Sequence, residues 1–132
     1  MSDDDDSNRR DARRRAELGR RAEEAAASYL ETGGFVVLGR NVRVRRLEID
    51  LIVREGPVIA VVEVRTRGDG AWVRAFDSVD WRKRARIRSA GTALWRSRFQ
   101  ADTTVERMRF DIVSVSFDER GTPTCEHLKA AF

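Results

Sequence analysis

A chain of 132 residues, 41% hydrophobic and 36% charged, can build one apolar core but not two. The net charge is +4, yet five aspartates and two arginines fall in the first eleven residues, so the remainder holds 24 basic against 17 acidic side chains. That excess favours a polyanionic partner, either nucleic acid or an anionic membrane surface. Cys125 is the only cysteine, which excludes an intrachain disulfide and suits a reducing cytoplasm. Cys125 and His127 are too isolated to form a zinc set. The opening "MSDDDDSNRR" has no apolar core of the kind a secretory signal needs, and the longest apolar run, Val58–Val62, is far too short to span a bilayer. The expectation is a soluble, cytoplasmic chain.

In chain order, residues 1–11 read as a disordered acidic tail, leaving 12–132 as a single domain. From about Asp11 to Thr32, Leu18, Ala22, Ala25, Ala26, Tyr29 and Leu30 recur at helical steps, and Gly33-Gly34 ends the helix. Phe35–Val44 predicts a strand bent at Gly39, and Arg46–Arg54 a second strand. Glu55–Pro57 is a turn. Val58–Thr66 is apolar on both faces, the mark of a central strand in a sheet covered on both sides. Asp77 or Ser78 can cap a helix from Val79 to Arg98, with Ile87, Ala90, Gly91, Leu94 and Trp95 on its apolar stripe. Arg107–Phe117 is a fourth strand, and Thr124–Leu128 a short last one. The class is α/β, with a mixed sheet of four to five strands flanked by helices in the order αβββαβ.

The carboxylates within the apolar strands need an explanation. Alternation places Ile59, Val61, Glu63 and Arg65 on one face, and Glu48, Asp50 and Ile52 on one face of the preceding strand. Pairing Arg54 with Ile59 would set Asp50 opposite Glu63. Two carboxylates that close repel unless a cation lies between them. Mg²⁺ suits the place, since it accepts one or two carboxylates and keeps water for chemistry. Ion pairing of Glu63 with Arg65, and of Asp50 with a nearby arginine, is the other reading.

Five stretches in order resemble the YraN family, small bacterial proteins with a restriction-endonuclease-like fold of the PD-(D/E)xK type. "GRRAEEAA" (Gly19–Ala26) resembles its opening helix, with Glu23 on the acidic position. "LEIDLI" (Leu47–Ile52) and "VVEVRTR" (Val61–Arg67) resemble its two acidic strands. "RKRARI" (Arg82–Ile87) resembles its basic helix, with Lys83 on the lysine position, and "RFDIV" (Arg109–Val113) its later strand. The resemblance implies a D…ExK nuclease site. Asp50 and Glu63 would be metal ligands for Mg²⁺ or Mn²⁺, with the Val64 carbonyl as a third, and residue 65 would orient water and stabilise phosphate charge. Glu23 would hold a metal-bound water or pair with Arg20 or Arg21. Glu48 would support the ligands from behind or form an exposed salt bridge.

Three positions depart from that pattern. Ala22 and Leu47 stand where the family has glycine, and Arg65 replaces the ExK lysine. Guanidinium stays protonated and cannot act as a general base, though it can clamp a phosphate oxygen or fold onto Asp50 or Glu63. Lys83 and Lys129 are the only lysines against 24 arginines, so position 65 is consistent with a chain-wide lean toward arginine. The basic helix, with Arg82, Lys83, Arg84 and Arg86, suits phosphate contacts, joined by Arg67. Trp72 can stack on an unpaired base, whereas Trp81 and Trp95 read as packing residues. The functional expectation is a nucleic-acid-binding protein, either a Mg²⁺-dependent endonuclease on branched or single-stranded DNA or an inactive binding module with Arg65 in the metal site. A homodimer is compatible with both.

Overall fold

A computed structural model describes residues 3–66 and 81–132. The elements are helix α1 (Asp3–Thr32), strands β1 (Val36–Val44), β2 (Leu47–Glu55) and β3 (Val58–Thr66), helix α2 (Trp81–Leu94), a π-helical turn (Trp95–Phe99), and strands β4 (Arg107–Phe117) and β5 (Pro123–Leu128). The five strands lie in the order β1-β2-β3-β4-β5, antiparallel throughout except for the parallel β3/β4 pair. A parallel pair needs a crossover, and the segment holding α2 provides it.

Apolar alternation explains the layering. Leu51, Val53, Ala60, Val62, Val113 and Val115 meet Ala22, Ala26, Ala27 and Leu30 of α1 on one face. Ile52, Ile59, Val61 and Ile112 meet Ile87, Ala90 and Leu94 of α2 on the other. The central strand β3 is therefore covered twice, as its two apolar faces require. The small residues on α1 let it lie close to the sheet, while Leu30 supplies bulk worth about 2 kcal/mol of burial. At the end of α1, Gly34 takes φ 95°, and the Phe35 amide donates to the Leu30 carbonyl at 3.0 Å, closing the helix.

α1 starts at Asp3, so the stretch expected to be a disordered tail is helical in the structure. Four aspartates in its first turn complement the positive end of the helix dipole, and Arg9 pairs with Asp5 one turn away at 3.1 Å. Residues 3–18 are exposed throughout and contribute nothing to the core. β1 carries a bulge between Val37 and Gly39, where a bend was expected. The second helix ends at Leu94, where its backbone widens into the π-helical turn. Its predicted cap, Asp77 or Ser78, falls outside the described residues.

Candidate functional site

The turn at Gly56-Pro57 leaves two residues unpaired, so Glu55 pairs with Val58 and Arg54 with Ile59. Continuing that register brings Asp50 opposite Glu63, but the ladder itself stops at Leu51 and Val62. The strands separate there. The Asp50 carboxylate fills the opening, with Oδ2 accepting the Val64 backbone N–H at 2.8 Å. Alternation along β2 breaks at the same point, since Leu51 packs toward α1 while Ile49 packs toward α2.

This opening is a pocket of about 280 Å³ lined by Glu23, Asp50, Glu63 and Arg65, with Gly19 and Ala22 of α1 at its side. Glu63 is buried, at 7% exposure. Its Oε1 receives Lys83 Nζ at 2.7 Å and Arg65 Nη2 at 3.4 Å, so α2 and β3 each send a cation to one oxygen. Arg65 Nε is buried with no hydrogen-bond partner among the described residues. Burial, then the charge of Glu63, pushes the Asp50 carboxyl up from the ordinary 3.8 to about 7, against the opposing pull of the Val64 amide. Glu23 is also raised, chiefly by burial, with the charges of Glu48 and Glu63 adding to it and a hydrogen bond to Asn41 opposing.

Among the described residues no three His, Cys, Asp or Glu side chains gather closely enough to enclose an ion by themselves. An ion at this pocket would rest on the two strand carboxylates and complete its shell with backbone oxygen and water. Glu48 is exposed, and its charge acts on Glu23. Glu23 forms no ion pair with Arg20 or Arg21; the Arg21 guanidinium instead donates to the Gly121 carbonyl at 3.2 Å.

On α2, Arg82 and Arg86 are exposed and Arg84 is half-buried. Trp81, expected to pack, is 73% exposed, and the Arg82 guanidinium lies 5.3 Å from its ring centre. Trp95 does pack against the α2-side core. Arg67 and Trp72 fall outside the described residues.

Sequence reasoning missed a second buried charge cluster. Asp111 has no exposed surface. It accepts from Arg109 at 2.8 and 2.9 Å and from the Ala130 amide at 2.9 Å, and it contacts His127 Nε2 at 2.8 Å. Burial raises its carboxyl, but the bonds to His127 and Arg109 outweigh it and hold it below the usual carboxylate range. The signal was present: a carboxylate inside "RFDIV" is the same anomaly that singled out Asp50 and Glu63.

Fold and site together define a small α/β protein whose five-stranded mixed sheet carries an acidic pair where two strands part, with two cations on one of its members, Glu63. The chain belongs to the uncharacterised protein family UPF0102, the YraN family, which it matches over residues 22–115. It is 57% identical over 122 residues to the UPF0102 protein sce2912 of Sorangium cellulosum (strain So ce56), covering 92% of this chain and 83% of that one. UPF0102 proteins of Anaeromyxobacter dehalogenans (strain 2CP-C) and Pelotomaculum thermopropionicum (strain DSM 13744 / JCM 10971 / SI) are 41% and 40% identical, over 89% and 87% of this chain and 85% and 94% of theirs. Among the described residues no helix is long and apolar enough to cross a membrane.

Proposed function

We propose that this chain is a nucleic-acid-binding protein of the restriction-endonuclease-like PD-(D/E)xK type that cleaves phosphodiester bonds in DNA with Mg²⁺ or Mn²⁺. The observation that carries the proposal is the convergence of Asp50 and Glu63, from adjacent strands, on one pocket that also receives Arg65. The crowding that keeps a proton on Asp50 near neutral pH is what a divalent cation would relieve. Asp50 and Glu63 would hold that ion, with the Val64 carbonyl and water completing its shell. Bound there, it would supply Lewis acidity and lower the pKa of a water.

The remaining roles belong to the chain itself. Arg65 stays protonated, so it serves as a phosphate clamp, and its buried, unpartnered Nε suits a non-bridging phosphate oxygen. Lys83 brings an ammonium to the site from α2 rather than from β3. Glu23 faces the pocket from α1 and can hold a water. Arg82, Arg84 and Arg86 supply backbone phosphate contacts, and the exposed Trp81 ring offers a stacking surface.

A second reading, a binding module without catalysis, is favoured by one fact: Arg65 and Lys83 already neutralise Glu63 with no ion needed. Incubation of supercoiled and branched DNA with Mg²⁺ or Mn²⁺ separates the two, alongside thermal melting in the same ions. Under the first reading the native chain cleaves and melts higher with metal, and Asp50→Asn loses both responses while staying folded. DNA binding without cleavage, with melting indifferent to Mn²⁺, assigns the binding module. Cleavage gained only on Arg65→Lys assigns it equally.

A further inference from the structure

A second cavity, of about 440 Å³, lies between the β1–β2 turn and α2. Its floor is aliphatic, made by Val44, Leu47 and Ala90, and its rim carries Arg45, Arg46 and Arg86, with no carboxylate in the lining. Some arginines of the protein pair with acids, as Arg40 does with Glu24 at 2.7 Å and Arg109 with Asp111 at 2.8 Å. Among the described residues none of the three rim arginines has an acidic partner. Arg45 instead donates to Ser89 Oγ at 3.4 Å, joining the turn to the helix. Leu47, the bulky residue where the family pattern has glycine, forms part of the floor.

We propose that this cavity binds one unpaired nucleotide of a nucleic-acid strand, with the base on the aliphatic floor and its phosphates on Arg46 and Arg86. Three guanidinium groups with no acidic partner among the described residues attract an anion, and guanidinium matches phosphate geometry. A bare phosphate would leave the apolar floor and most of the volume unused, whereas a base has a face to lay on it. Position agrees. Arg86 follows Lys83 by one turn of α2, and Leu47 precedes Asp50 by three residues on β2, so the cavity is built on two elements that also supply the carboxylate site. The inference rests on the nucleic-acid reading above and narrows it to strands with unpaired nucleotides.

The test is fluorescence anisotropy in EDTA, so that metal binding and cleavage play no part. A short fluorescein-labelled single strand is compared with a blunt duplex of the same sequence. Arg46 is exposed and lies outside the backbone-contacting set on α2, so Arg46→Gln leaves the fold intact. It weakens the single strand about tenfold or more and the duplex much less. Leu47→Ser, which removes floor and no charge, also weakens the single strand but leaves its salt dependence unchanged. Thymidine monophosphate displaces the labelled strand at lower concentration than inorganic phosphate does. Equal losses for both probes, equal displacement by the two competitors, or no binding by the native chain overturns the proposal. Loss of cleavage or of metal response would sink the nuclease reading and leave these measurements untouched.

Discussion

Replacing Asp50 by asparagine makes the protein more stable in alkaline buffer and removes most of the stability loss that accompanies a rise in pH through neutrality. The Asp50 carboxyl moves from the ordinary 3.8 in the unfolded chain to about 7 in the fold, so the folded state binds that proton more tightly. A raised pKa contributes stability that is full below the unfolded value and is lost as pH climbs through the folded one. At about 1.4 kcal/mol per pKa unit, the native chain loses about 2.5 kcal/mol between about pH 5 and pH 8, within a total near 4 kcal/mol over the whole window. Asparagine is neutral throughout. Its oxygen still accepts the Val64 amide and its NH₂ can donate to Glu63, so the strands keep their connection. Urea unfolding followed by tryptophan fluorescence, repeated across that range without divalent ions, reads the difference. Asp50→Asn should gain about 3–4 kcal/mol over the native chain at about pH 8. Parallel pH profiles for the two proteins, or a native chain that strengthens toward pH 8, would refute the charge crowding on which the site depends.

Lys83→Met keeps the aliphatic stem but strips the ammonium from buried Glu63; it should cost about 2 kcal/mol in urea, and Lys83→Met/Glu63→Gln should recover most of it. Asp111→Asn breaks the ion pair between fully buried Asp111 and partly exposed Arg109 and should cost about 3 kcal/mol at neutral pH. Because the Asp111 carboxyl is lowered in the fold, its contribution is present above the usual carboxylate range and lost on acidification, so the acid limb of the urea profile flattens in that variant. Gly91→Ala would set a Cβ 2.7 Å from the Phe110 ring and 3.3 Å from Met108 Sδ. Overpacking should outweigh the gain in helix propensity and lower stability by about 1 kcal/mol, measured by thermal melting.

The strands were legible where the pattern allowed one solution. Val58–Thr66 is apolar on both faces, and only a central position satisfies that, so its bounds and place follow from the residues. The pairing of Arg54 with Ile59 needed only a two-residue turn, which Gly56-Pro57 provides. The parting of β2 and β3 was not legible, because it depends on Asp50 taking the Val64 amide instead of the ladder doing so. Nor was the length of α1: a run of aspartates looks unstructured by composition, yet sits well at a helix start through its dipole. The contact of Arg65 with Glu63 is one of the two readings that the strand spacing allows, while the convergence of Lys83 on the same oxygen depends on how α2 crosses the sheet. Trp81 reads as a packing residue, as Trp95 does, whereas it stands exposed at the first residue of α2.

The bond between Asp50 Oδ2 and the Val64 amide makes the aspartate a stitch in the seam of the sheet as well as a charged group. Any visitor that pulled this oxygen away would strip a backbone donor of its acceptor and start unzipping the two strands. Guests that leave the seam closed are confined to the aspartate's other oxygen, which fixes their direction of approach before any of their own chemistry counts.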